Sequence, residues 1–176
     1  QCEFCKSGRY NLCPDVQFLA TPPVQGCYEN YIAFPENMCF KLPDNISTKE
    51  GALVEPLSVG MHAANQGNVQ LGDSVVILVD VIPKRLDYAM KLGATRVING
   101  KEVDAIEEVK KITNGAGVDK VMETAGSPFT IKETPFMVKR GGTIVLVGIS
   151  AQETVEFNFA QIMDKEPEIK SVFRYR

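Results

Sequence analysis

From about residue 58 onward one pattern repeats: a short, continuously apolar run rich in β-branched residues, then a segment with helical spacing. The runs are Val75 to Val81 inside "DSVVILVDV", "TRVING", "VDKVMETAG", "GGTIVLVGIS" and a last one in "EIKSVFRY". A strand apolar on both faces has to be covered on both faces, so the pattern predicts an α/β fold with a parallel sheet and helices on either side. Between the runs, "PKRLDYAMKL" opens on Pro83 and closes before Gly93, with Leu86 and Met90 on its apolar face. "VDAIEEVKKI" places Val103, Ile106, Val109 and Ile112 along one stripe, and "SPFTIKETPFMVKR" reads as a helix interrupted near Pro135.

Residues 1–57 look different. They are rich in Pro, Cys and aromatics, "GCYENYIAF" alternates like a strand, and "FKLPDN" reads as a strand ending in a turn. The chain therefore divides into part of a mostly-β domain (1–57) and a parallel-sheet domain (58–176). A net charge of −3 gives no footprint for nucleic acid or an anionic membrane. No apolar run approaches the ~20 residues that span a bilayer. No secretory signal is visible, and a chain that begins at Gln1 is read as lacking its native N-terminus.

Three of the five cysteines fall in the first 13 residues, as Cys2, Cys5 and Cys13 in "CEFCKSGRYNLC". An odd number, at C-x2-C-x7-C spacing, favours thiolate chemistry over disulfides and a reducing, cytoplasmic setting. Such a cluster can grip one tetrahedral zinc, although a closed site needs a fourth ligand; the alternative is three ordinary thiols. Cys27 and Cys39 flank apolar residues and read as core thiols. Glu55 lies in the apolar stretch "GALVEPLSVGMHA", where it either partners a metal or begins a helix ahead of Pro56. His62, the one histidine, reads as packed and structural.

Asp80 ends an apolar strand, as does the acid that holds a ribose diol in dinucleotide-binding folds. Such folds also need a glycine-rich turn and a crossover of a dozen or more residues before that acid. None lies between Leu78 and Asp80. Either residues are omitted at the Leu78–Val79 junction or the polypeptide carries a true deletion, and the intact pattern on both sides favours omission.

Together, "CEFCKSGRYNLC", "GRYNLCPDVQFLATPPV", "KLPDN", "EGALVEPLSVGMHA", "KLGAT", "GGTIVLVG" and "VFRYR" resemble the zinc-containing medium-chain dehydrogenases, in particular their sorbitol (L-iditol) and xylitol branch. The resemblance covers nearly the whole chain. It implies part of a GroES-like catalytic domain followed by an incomplete Rossmann-type domain. It also implies a structural zinc on Cys2, Cys5 and Cys13, whose fourth cysteine would fall three residues before Cys2. Glu55 would lie beside a catalytic zinc; that metal's other ligands, a cysteine and a His-Glu pair, are not in this sequence. By the same resemblance Phe18, Thr21, Arg174 and Tyr175 line a polyol pocket. Asp80 and Arg85 hold the adenosine end of NAD, while Val147, Gly148, Ile149, Val172, Phe173 and Arg174 meet its nicotinamide half. The implied activity is NAD-dependent, zinc-assisted polyol oxidation by a homo-oligomer, a tetramer or dimer. A threonine or simple alcohol dehydrogenase and a non-catalytic, zinc-stabilised interaction module are the rival readings.

Overall fold

The computed structural model describes residues 2–70, 73 and 77–175. It separates into two compact units, Gln1–His62 with Phe173–Arg176, and Ala63–Val172.

The first unit is held by turns and short helices. Helix α1 (Glu3–Lys6) begins the chain, and a 3-10 turn follows at Tyr10–Leu12. Helix α2 (Thr48–Gly51) starts on a reciprocal capping box, in which Ser47 accepts from the Glu50 N–H and the Glu50 carboxylate accepts from the Ser47 N–H. Helix α3 (Val54–Gln66) carries the chain onward from this unit. The expected strands over 26–34 and 40–42 do not form, although the turn after Pro43 does. Alternation alone does not make a strand, because its N–H and C=O groups need a neighbouring strand, and none pairs with them among the described residues. Tyr28, Tyr31 and Phe40 are therefore exposed, and Cys27 and Cys39 are surface thiols, not the core residues expected.

The second unit is the parallel α/β part. Strand β1 (Ile77–Asp80) is followed by α4 (Pro83–Lys91), β2 (Arg96–Asn99), α5 (Ala105–Ile112), β3 (Val118–Glu123), α6 (Pro128–Met137), β4 (Val138–Leu146), α7 (Phe159–Lys165) and β5 (Glu168–Ser171). The first predicted strand begins at Val75, and Ser74–Val76 lie outside the described residues. All pairings are parallel, in two sheets ordered β1–β2 and β3–β4–β5. A doubly wound sheet of order 3-2-1-4-5-6 would leave this partition if its central strand were removed. Strand β1 runs unbroken through Leu78–Val79, with Ile77 opposite Arg96 and Asp80 opposite Asn99.

The helices bury slightly different faces from those the spacing suggested. In α4 it is Leu86 and Ala89 that face β1 and β2, while Met90 is exposed; the small alanine allows a close approach to the sheet. In α5 the buried pair is Ala105 and Val109, packed with Ile98, Ile77, Val118 and Met137. Val103 and Ile112 are largely exposed, because Val103 precedes the N-cap Asp104 and Ile112 ends the last turn. Helix α6 runs past Pro135 to Met137. Pro135 cannot donate to the Ile131 carbonyl, and the Thr134 hydroxyl does so in its place at 2.8 Å.

On α6, burial first and then the negative charge of Asp104 push the Glu133 carboxyl above its ordinary value of 4.5. The ionised form therefore opposes folding above the folded pKa, and that penalty disappears once pH falls below 4.5. Glu133→Gln is expected to raise the melting temperature at pH 7 and to leave it unchanged near pH 4, as thermal unfolding at both values would show.

Candidate functional site

In the first unit the cysteine spacing becomes a cluster. Cys2 caps the short α1, Cys5 lies within it, and Cys13 follows the Tyr10–Leu12 turn. Their three sulfurs lie within 4.8 Å of one another, and those of Cys2 and Cys5 are 3.7 Å apart. Tetrahedral zinc with Zn–S bonds of about 2.3 Å requires sulfurs roughly 3.8 Å apart, so the cluster fits that ion. The Cys5 main-chain N–H leads in holding the Cys2 thiol below its ordinary value. Cys13 has an Asp15 N–H acting in the same direction, but lost hydration and the two neighbouring sulfurs raise it overall. Thiols this close resist carrying three negative charges, which a cation relieves. The chain is expected to take up about one zinc, and Cys5→Ser to weaken uptake at least tenfold, measured by metal titration.

Glu55 lies in the first turn of α3 and is exposed. Among the described residues the only group of three or more metal-capable side chains within reach of one another is Cys2, Cys5 and Cys13. Glu55 thus begins a helix, a position that leaves its exposed carboxylate open to a metal held by ligands from outside these residues. His62 is 5% exposed on the same helix, as a packed residue should be.

Two segments distant in sequence meet around Arg174. Its guanidinium carbon lies 3.4 Å from the centroid of the Phe18 ring and 5.5 Å from that of Phe173. Its Nη2 donates to Thr21 Oγ1 at 3.4 Å. Phe18 and Phe173 meet edge to face with centroids 6.3 Å apart. Stacking on an aromatic face leaves the donor-rich edges of a guanidinium in plane and available to hydroxyl groups. Tyr175 is half-buried beyond this cluster.

In the second unit Asp80 closes β1. Its Oδ1 accepts from the N–H groups of Val81 and Ile82 at 2.7 and 2.9 Å, and its Oδ2 meets Arg85 Nη1 at 3.4 Å. Burial pushes its carboxyl up, but these donors outweigh it and leave the group below its ordinary value. Arg85 also borders an open surface hollow of about 430 Å³, lined by Leu78, Ile82, Lys84, Tyr88, Ala89 and Leu92 as well. A carboxylate at a strand end is chemistry suited to accepting from a vicinal diol. Among the described residues β1 passes directly through Asp80 to the N-cap Ile82 with no glycine turn for a pyrophosphate.

At the ends of β3 and β4 the Val147 and Gly148 N–H groups both donate to the Glu123 carbonyl, at 2.8 and 3.0 Å. Ile149 is exposed, and the Val172 N–H donates to the Leu146 carbonyl. Glu123 itself has no assignment from the sequence. It is 4% exposed, and its carboxylate accepts from the N–H groups of Ala125 and Gly126 and from the Thr130 hydroxyl. An acid followed by "TAG" at the end of an apolar strand was the available signal.

The family profile described as zinc-binding dehydrogenase matches residues 59–176, and that of the alcohol dehydrogenase GroES-like domain matches residues 1–44. The chain belongs to the zinc-binding dehydrogenase family. Sorbitol dehydrogenase of Bacillus subtilis is 43% identical over 198 residues, covering 99% of this chain and 56% of that protein. D-xylulose reductase A of Aspergillus oryzae is 34% identical over 202 residues, covering 99% and 56%. A crystal structure of an Escherichia coli oxidoreductase/dehydrogenase of unknown specificity matches with a TM-score of 0.92 and 42% identity, covering 99% of this chain and 57% of that one. A putative zinc-binding dehydrogenase from Sinorhizobium meliloti, bound to NADP, matches with a TM-score of 0.89 and 25% identity, covering 98% and 58%. The chain thus spans little more than half the length of these dehydrogenases. A match of 198 positions cannot be filled by 176 residues, so at least 22 positions of the Bacillus protein have no residue here.

Proposed function

We propose that this chain is part of an NAD-dependent, zinc-assisted dehydrogenase that oxidises a polyol such as sorbitol or xylitol to a ketose. The observation that carries this reading is the gathering of Phe18, Thr21 and Arg174 into one cluster of stacked aromatic, hydroxyl and guanidinium groups. A polyol offers adjacent hydroxyls that accept from a rigid set of donors, and Arg174 supplies several. Identity of 43% to a sorbitol dehydrogenase supports the same branch.

Zinc would polarise the reacting hydroxyl and the nicotinamide would accept hydride. Of the residues implied for the catalytic metal the chain supplies only Glu55, so its part in the chemistry is to bind and orient. Arg174, Thr21 and Phe18, with Tyr175 beside them, hold the polyol. Asp80 holds the adenosine ribose diol and Arg85 lies against the adenine. Val147, Gly148, Ile149, Val172 and Phe173 sit towards the nicotinamide half. Cys2, Cys5 and Cys13 hold a structural zinc that fixes the first unit. We place the protein in the reducing cytoplasm as a homo-oligomer.

Asp80 directs the choice of NAD over NADP, because a 2′-phosphate beside an ionised carboxylate is repelled. Asp80→Ala is expected to lower the ratio of NAD to NADP use at least tenfold in steady-state kinetics. The reading as a whole is tested by comparing kcat/KM for sorbitol and xylitol with ethanol and threonine on the full-length protein. A polyol preference of tenfold or more is expected, and equal rates would overturn it.

The 22 unmatched positions favour one alternative, a non-catalytic module stabilised by zinc. Intact mass with peptide mapping across Leu78–Val79 separates the two. A mass above 19.4 kDa with a glycine-rich peptide at that junction supports the enzyme, and a true Leu78–Val79 bond supports the module.

A further inference from the structure

We infer that Asn11 is a positioning residue that ties the cysteine cluster to Arg174, so that metal occupancy of the first governs the placement of the second; this rests on the polyol reading above. Asn11 is 4% exposed and sits in the middle of the Tyr10–Leu12 turn, between Cys5 and Cys13. That turn is fastened to the cysteine helix by the Arg9 N–H donating to the Phe4 carbonyl at 2.8 Å, and it closes with the Cys13 N–H on the Tyr10 carbonyl at 3.1 Å. From it the Asn11 Nδ2 donates to the Phe173 carbonyl at 2.9 Å, a link between residues 162 positions apart.

The peptide so held is the one that precedes Arg174. Arg174 has φ +62°, a left-handed conformation that a side chain longer than glycine adopts only when its surroundings impose it. With the Phe173 carbonyl fixed and the backbone turned, the guanidinium is delivered over Phe18 and to within reach of Thr21. Two buried polar atoms at this junction, Asn11 Oδ1 and Arg174 Nε, find no hydrogen-bond partner among the described residues. Leaving them so is costly, and a leucine at position 11 would fill the space without that cost. What the carboxamide adds beyond packing is its one bond to Phe173.

The test uses the full-length protein with Asn11→Leu, Arg174→Ala and the double variant. Asn11→Leu is expected to raise KM for the polyol about tenfold, leaving bound zinc unchanged. In the Arg174→Ala background it should add no further loss, because its route of action is already gone. Hydrogen exchange of the peptide spanning Val172–Tyr175 should quicken about tenfold in Asn11→Leu and equally when zinc is chelated from the wild type. Additive losses in the double variant, or exchange indifferent to both changes, would overturn the inference. A wild type that oxidises no polyol sinks the functional reading alone, and the exchange measurement then decides the role of Asn11.

Discussion

Alanine at position 148 is expected to prevent the Ala63–Val172 unit from folding. Its added Cβ would lie inside the packing envelope of the Gly126 nitrogen, 2.6 Å from the Gly126 Cα and 2.8 Å from the Ala125 carbonyl carbon. These are backbone atoms, so no side chain can swing aside. Gly126 is itself in the left-handed region at φ +65°, and its own Cβ position is closed by the Ile149 backbone. The two strand ends touch glycine to glycine. Relief would require breaking the bonds from Val147 and Gly148 to the Glu123 carbonyl. The cost should exceed about 4 kcal/mol, a large share of the ~5–15 kcal/mol of a typical domain. Loss of soluble protein, or of the cooperative transition in thermal circular dichroism, is the expected result. Gly60→Ala is the control: a Cβ on Gly60 meets nothing within 4 Å on helix α3, so that variant should be neutral or more stable by up to ~1 kcal/mol.

Glu123→Ala should produce the next largest effect. Removing the carboxylate strands the Ala125 and Gly126 N–H groups, which converge on it within 3.0–3.1 Å, while the Thr130 hydroxyl, 2.7 Å from it, keeps the Ser127 carbonyl at 3.0 Å as an acceptor. Leaving buried donors unmade costs about 1–3 kcal/mol each, and partial access of water near Ala125 holds the sum to roughly 3 kcal/mol. Glu123→Gln should recover part of this, since its amide oxygen still accepts while its NH2 confronts donors. Chemical denaturation of the three proteins measures the ranking, and equal stability of all three would remove the structural role assigned to this carboxylate.

Much of the second unit was legible because its signals are local. Pro83 at the start of a helix, Gly93 with φ +102° after one, and apolar runs at strand length each act within a few residues. The errors came where a neighbour distant in sequence, or the rotamer of a nearby side chain, decides the outcome. Alternation at 26–34 could not reveal that no partner strand is present to receive it. Met90 satisfied the helical period as well as Ala89, but sheet distance selects the smaller side chain. Pro135 looked like a break because the rescue of the Ile131 carbonyl depends on the rotamer of Thr134.

The site divides along the same line. Cysteine spacing announced a cluster within 12 residues of chain, and the sulfurs do converge. Arg174, Phe18 and Thr21 carried no local signal of their meeting, and only resemblance to a family placed them together. Glu123 was missed although its three donors lie within seven residues of it, because their convergence depends on the turn after β3. Asn11 was missed because its partner lies at the other end of the chain.

The division into β1–β2 and β3–β4–β5 has a consequence for how the chain behaves in concentrated solution. One continuous sheet has two outer strands, whereas the described residues form two sheets with four: β1, β2, β3 and β5. Each outer strand offers a row of unpaired N–H and C=O groups that can template another chain. A strand supplied from outside could lie beside β1 or β3 and meet part of that demand. Molecules holding the central strand internally should stay dispersed, and molecules without it should adhere through these rows. Colloidal behaviour thus reports on whether a central strand is present before any catalytic assay is run.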